Sequence, residues 1–159
     1  MHFHAIQHDV ISVDYESTRA CIEKLIEQAK PCKNDYIVLQ EMADTGWSMD
    51  IDAITNIGTL EWVSALAKQL GVWIQTGWAE KIRERAKNCV AVCSPDGNIV
   101  ANYVKVFICN PLGENKHYDE GNELYILHIN DISICPLICY DLRFAELWRL
   151  AAIEGVDVF

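Results

Sequence analysis

The chain reads as an α/β domain, and three features of its 159 residues support that. Apolar, strand-like runs alternate with segments of helical spacing, the order from which βαβ units and parallel sheets are built. Two later runs flank Pro95–Asp96–Gly97, a hairpin signal, so part of the sheet is antiparallel. Apolar residues make up 51% of the chain, enough to bury one core and too little chain to split into two domains.

The elements follow in order. His2–Phe3–His4–Ala5–Ile6–Gln7 alternates as a first strand. Residues 15–30 carry Ala20, Ile22, Leu25, Ile26 and Ala29 at helical spacing. Asp35–Tyr36–Ile37–Val38–Leu39–Gln40 is nearly continuous in apolar character, as expected of a strand covered on both faces. After an acidic loop, Thr59 is placed to cap a helix through Leu70, with Gly71 as its stop. Residues 72–78 form a third strand, and 88–94 with 98–104 form the hairpin. Residues 105–123 are polar, hold Pro111, Gly113 and Gly121, and read as a long functional loop. A second hairpin, 124–129 with 132–137, turns at Asn130–Asp131. A helix over 144–154 stops at Gly155, and Val156–Asp157–Val158–Phe159 opens another strand. A new strand with nothing after it predicts an interrupted domain.

Composition excludes several classes. A net charge of −10 argues against nucleic acid or an anionic membrane as partner, because both select basic surfaces. Met1–His2–Phe3–His4 lacks the basic and apolar regions of a signal peptide, and no apolar run is long enough to span a bilayer. The seven cysteines include no CxxC, and no histidine pair has matching spacing, so neither a metal site nor a cofactor is expected. Reduced, mostly buried thiols fit a reducing compartment, so the expectation is a soluble, cytoplasmic protein.

Parallel sheets place ligands at the carboxyl ends of their strands. Glu41 follows the second strand, Lys105 follows the strand ending at Val104, and Cys139 ends the apolar run 132–138. Three strand ends thus supply a carboxylate, an ammonium and a thiol. Cys139 also opens Tyr140–Asp141–Leu142–Arg143–Phe144–Ala145–Glu146–Leu147, which has helical spacing. A cysteine at that junction predicts a nucleophile elbow, with helical N–H groups and the helix dipole favouring the thiolate.

The same residues resemble the nitrilase superfamily of carbon–nitrogen hydrolases. Leu39–Gln40–Glu41–Met42 resembles its strand-end glutamate motif, usually LPE, and Tyr103–Val104–Lys105 its YxK motif. Cys139–Tyr140–Asp141–Leu142–Arg143–Phe144 is similar to its nucleophile motif almost letter for letter. Gly113–Glu114–Asn115–Lys116–His117–Tyr118, followed by Gly121, resembles the loop of its second glutamate. The resemblance implies a four-layer α–β–β–α sandwich, of which this C-terminally truncated chain covers the first half or somewhat more. It implies Glu41 as general base, Cys139 as nucleophile, and Lys105 with the Tyr140 N–H as oxyanion stabilisers. Glu114 would brace Lys105 and help position substrate or water. The implied reaction is thioester-mediated cleavage of a small amide without a cofactor, nearer to ω-amidases than to true nitrilases. A homodimer or higher homo-oligomer is implied as well, through the 146–150 helix.

Other residues keep two readings. Arg143 serves a substrate carboxylate or an ion pair, His117 and Tyr118 line the pocket or hold the loop, and Asp141 is expected to cap the following helix. After Lys105 the chain reads Val106–Phe107–Ile108–Cys109, where many relatives carry a histidine, so the pocket wall departs from the pattern. Acyl transfer from the same thioester, and an inactive fragment serving only as an interaction module, are the alternatives. A redox or metal-binding cysteine protein rests on the cysteine count alone.

Overall fold

A computed structural model describes residues 1–11 and 14–159. Three strands run parallel: β1 (Phe3–Ala5), β2 (Tyr36–Val38) and β3 (Trp73–Ile82), with Phe3 opposite Tyr36 and Tyr36 opposite Trp73. β4 (Arg85–Cys93) and β5 (Ile99–Val104) extend the sheet antiparallel in the order β1-β2-β3-β4-β5. Both ends of that prediction hold, the βαβ start and the 95–97 hairpin. Inside the expected long loop, β6 (Tyr118–Asp119) pairs with Ala86 and Lys87 of β4. It continues the edge where β5 has ended.

A second, smaller sheet is the hairpin of β7 (Leu127–Ile129) and β8 (Ile132–Ile134), which turns through Asn130 at φ 52°. Val158 bridges Ile134 in parallel, and Ser133 takes the Asp157 carboxylate on its N–H and hydroxyl. The terminal apolar run therefore does begin another strand beside β8.

Helices α1 (Tyr15–Ala29) and α3 (Thr59–Leu70) cover one face of the large sheet. Ile22 and Ile26 of α1 and Val63, Leu66 and Ala67 of α3 pack on Ile37, Leu39, Ile74 and Cys93. The other face meets the small sheet, where Tyr36, Val92 and Ala101 pack against Leu127, Ile129 and Ile134. Beyond the small sheet lies α4 (Ala145–Ile153), which buries Leu147 and Ala151. The layers are α, β, β, α. A single turn, α2 (Ile51–Ile54), lies between β2 and α3 and is capped by Asp50.

One local expectation needs correction. Gly58, in the left-handed conformation, is the N-cap of α3, and Thr59 is its first residue. The Thr59 hydroxyl instead donates to the buried Asp44 carboxylate at 2.9 Å, which also holds Arg19. A buried carboxylate is the stronger acceptor, and the helix start yields to it. Gly71 stops α3 as expected, its N–H bonded to Ala67 O.

Candidate active site

Glu41 leaves the sheet through a tight turn after β2, with Met42 at φ 47°. The turn rests directly on Gly77 of β3: Gly77 N–H donates to Gln40 O, and Ala43 N–H to Gly77 O, both at 3.1 Å. A Cβ on Gly77 would lie 2.5 Å from Met42 N and 2.6 Å from Glu41 Cα. Only a glycine lets the backbone approach so closely.

Lys105 follows β5, and its N–H still bonds Asn88 O of β4 at 2.9 Å. Its ammonium is almost wholly enclosed, at 1% side-chain exposure, and reaches Glu41 Oε1 at 3.1 Å and Glu114 Oε1 and Oε2 at 3.1 and 3.0 Å. Glu114 itself is fully buried and also accepts the Cys109 N–H. Burial alone would push the Lys105 ammonium down, but the charges of Glu41 and Glu114 and their hydrogen bonds outweigh it. The net direction is up, so Lys105 stays cationic. Gly121 closes the loop by donating to Lys105 O at 2.8 Å, where a Cβ would sit 2.3 Å from Val104 O.

Asn88 was not singled out in the sequence. Its Nδ2 donates to Glu41 Oε1 at 2.7 Å and to Glu114 Oε1 at 3.0 Å, joining the two carboxylates from β4. The available signal was a polar amide at the head of the apolar run Cys89–Val90–Ala91–Val92–Cys93.

Cys139 stands exposed at φ 45°, a conformation that L-residues rarely hold, and its neighbours over-determine it. Buried Asp141 accepts from Ile138 N–H at 3.0 Å, Phe107 N–H at 2.8 Å and Tyr103 hydroxyl at 2.8 Å. The Phe107 ring stacks on Phe144 with centroids 3.6 Å apart. The segment after Lys105 thus docks onto the turn that presents Cys139, and Phe107 is its anchor. Asp141 is not the cap of α4; it ties the elbow to β5 and its exit.

The helix-dipole argument for a thiolate fails. Cys139–Arg143 is a 3₁₀ turn, and α4 begins only at Ala145 after Phe144 in extended conformation. Burial raises the Cys139 thiol above its ordinary value, the Glu41 charge adds to that, and Lys105 opposes it. The thiol is therefore protonated at neutral pH and needs a base. Glu41 is the carboxylate whose charge bears most on that thiol.

The remaining expectations divide. Tyr118 is fully buried, its hydroxyl donated to Ser48 O, which places it in the core rather than on a pocket wall. His117 lies in the same loop and holds Ala86 N–H through its backbone oxygen, at 3.0 Å. Neither lines a hollow that reaches Cys139. Arg143 is exposed and has no ion-pair partner among the described residues; its guanidinium lies 5.9 Å from the Tyr140 ring centroid. Both residues line an open hollow with Cys139, Cys109 and Leu112, on the side of the Glu114 loop. A second hollow of about 330 Å³ reaches Cys139 from the other side, between Tyr36, Leu137 and Trp148.

The sequence model of the carbon-nitrogen hydrolase family matches residues 5–159. The chain belongs to that family. Among its carbon-nitrogen hydrolase relatives, an omega-amidase (YafV) of Yersinia enterocolitica is 28% identical over 141 residues, covering 87% of this chain and 54% of the relative. A 2-oxoglutaramate amidase of Bacillus subtilis is 25% identical over 162 residues, covering 89% and 62%. The chain thus spans little more than half the length of these relatives. A crystal structure of a superfamily member from Xanthomonas campestris, with an arsenic adduct in its active site, superposes with a TM-score of 0.80 at 25% identity, over 89% of this chain and 54% of that one. An amidase from Nesterenkonia sp. AN1 superposes at 0.84 with 17% identity, over 98% and 64%, and speaks for the fold alone. No helix is long and apolar enough to cross a membrane, among the described residues.

Proposed function

We propose that the chain carries the catalytic apparatus of a cysteine-dependent amidohydrolase acting on small ω-amides. One observation carries this reading. Glu41, Lys105, Glu114 and Asn88 form a single bonded cluster whose charges act on a protonated thiol held in a strained turn. Glu41 takes the Cys139 proton as sulfur attacks the amide carbon. Lys105 and the Tyr140 N–H stabilise the tetrahedral oxyanion. The C–N bond breaks, the proton passes from Glu41 to the leaving nitrogen, and ammonia departs from a Cys139 thioester. Glu41 then activates water, which hydrolyses the thioester to the acid and restores the thiol. Glu114 braces Lys105 so that the ammonium faces the oxyanion. Of the two outcomes open to the thioester, hydrolysis is the reading adopted; comparing water with amine acceptors separates it from acyl transfer.

Cys139→Ala should reduce ammonia release from such amides to background while the melting transition stays close to that of the parent chain. Undiminished release from the variant would overturn the proposal. The substrate class has support in the 2-oxoglutaramate amidase relative and in Arg143, an exposed cation without an ion-pair partner among the described residues, on a hollow that reaches Cys139. Arg143→Ala should raise KM about tenfold for ω-amides bearing a carboxylate and leave simple uncharged amides unchanged. Equal effects on both classes would remove Arg143 from substrate recognition.

The proposal extends to assembly and location. Leu150 and Ile153 of α4 are 55% and 79% exposed, a surface that favours self-association through this helix. Sedimentation of the parent and Ile153→Lys chains tests that, with a shift to monomer expected. Seven free thiols suit a reducing compartment such as the cytoplasm.

A further inference from the structure

Asn88 occupies the middle of β4 with no solvent exposure. Its amide orientation follows from its neighbours, since Glu41 and Glu114 are both acceptors and only Nδ2 can face them. That leaves Oδ1 buried without a donor among the described residues, an unfavourable arrangement that an apolar strand residue would avoid. What the site gains is geometric. Asn88 Nδ2 and Lys105 Nζ both fall on the same Glu41 oxygen, Oε1, at 2.7 and 3.1 Å. Oε2 receives no donor from the protein among the described residues. A carboxylate with one oxygen saturated and one bare offers its lone pairs in one direction. The donor is also neutral: a second cation here would hold the carboxylate's charge more tightly and blunt it as a base, whereas an amide orients it at less expense of basicity.

We infer that Asn88 is a positioning residue, which with Lys105 saturates Oε1 of Glu41 and leaves Oε2 free to accept the Cys139 proton. This rests on the reading of Glu41 as the base. By also binding Glu114, Asn88 fixes the spacing of the two carboxylates around the single ammonium.

The test is the acylation of Cys139 in the 159-residue chain by p-nitrophenyl acetate from pH 5 to 9. Sulfur bonds the acetyl carbon, the C–O bond breaks, p-nitrophenolate leaves, and the thiol proton goes to the base. Absorbance gives the rate and peptide mass spectrometry gives the site, with exposed Cys32 as internal reference. Asn88→Ala should slow Cys139 acylation about tenfold to a hundredfold. It should also move the acid limb of the profile to higher pH, because a carboxylate that loses a donor holds its proton more tightly. Lys105, Glu114 and the thiol face the same carboxylate, so the limb belongs to the cluster as a whole. Asn88→Asp keeps the shape and donates only when protonated, so its deficit should shrink as the pH falls. A purely structural role would move neither limb nor deficit in this way, and the aspartate variant decides the matter if the alanine variant does not fold. If both profiles match the parent while Glu41→Gln is slow, the role of Asn88 is refuted and the base stands. If Glu41→Gln is as fast as the parent, or parent Cys139 reacts no faster than Cys32, the base reading falls and the inference with it.

Discussion

Lys105→Met is expected to destabilise the fold by about 3–5 kcal/mol, the usual loss when one partner leaves a buried ion pair. Methionine roughly keeps the length and apolar volume, so the loss reports charge rather than a cavity. The variant leaves Glu114 with no exposure and Glu41 beside it, two carboxylates joined by Asn88 with no cation between them. Urea denaturation followed by tryptophan fluorescence measures the change, and a loss under 1 kcal/mol would mean that the cluster is solvated in solution. A second substitution sharpens the test. Lys105→Met with Glu114→Gln removes both charges, so much of the stability should return, while on the proposed reading, in which the ammonium stabilises the oxyanion, ammonia release stays at background. The pH dependence has a definite sign. The folded-state value of Lys105 lies above its ordinary one, so its contribution is complete below about pH 10.4 and is lost as pH rises through the folded value. The part of the difference between parent and Lys105→Met that comes from the ammonium should therefore be flat across neutral pH and fade in strong alkali.

Three of the five clustered or neighbouring groups were legible because chemistry at a parallel sheet gathers at strand ends. Glu41, Lys105 and Cys139 each follow a strand, and strand ends are the part of a sheet that hydrophobic pattern marks best. Glu114 became visible only through its resemblance to a known loop; nothing in a polar stretch of 19 residues, 105–123, distinguishes a buried glutamate from a solvated one. Asn88 escaped because its partners lie 47 and 26 residues away, and sequence spacing carries no trace of them. The thiolate expectation failed on a single residue. The spacing after Cys139 suits a helix, but Phe144 is extended, so the turn ends and α4 starts anew at Ala145. A 3₁₀ turn and the first turn of an α-helix present nearly the same hydrophobic pattern, and burial beside Glu41 then decides the direction of the thiol. Tyr118 shows the converse: the sequence left it between a pocket wall and a structural role in the loop, and pairing of β6 with β4 carries its ring into the core.

Gly77→Ala should cost about a hundredfold in turnover, although the substitution touches no reacting atom. The ideal Cβ lies 2.5–2.6 Å from Met42 N, Gln40 O and Glu41 Cα, all of them backbone positions. No rotamer change relieves such a contact, so either β3 or the Glu41 turn must move. β3 is held on both sides, by β2 in parallel and by β4 along nine registered pairs from Ile74–Cys93 to Ile82–Arg85. The turn is the softer party, with Met42 already in the left-handed region. Glu41 is therefore the residue displaced, away from Asn88 and Lys105. The stability loss should be the modest one of local overpacking, about 1–3 kcal/mol, smaller than that of Lys105→Met. Circular dichroism and a melt would show a folded protein, while turnover and the pH profile of Cys139 acylation would resemble those of Glu41→Gln. A variant that folds and turns over like the parent would mean that the close approach of β3 to this turn is not what holds Glu41 in place. The glycine stands in the interior of a strand, where it offers no packing and weakens pairing. Its physical account is the 3.1 Å bond it gives Gln40 O, one residue before Glu41.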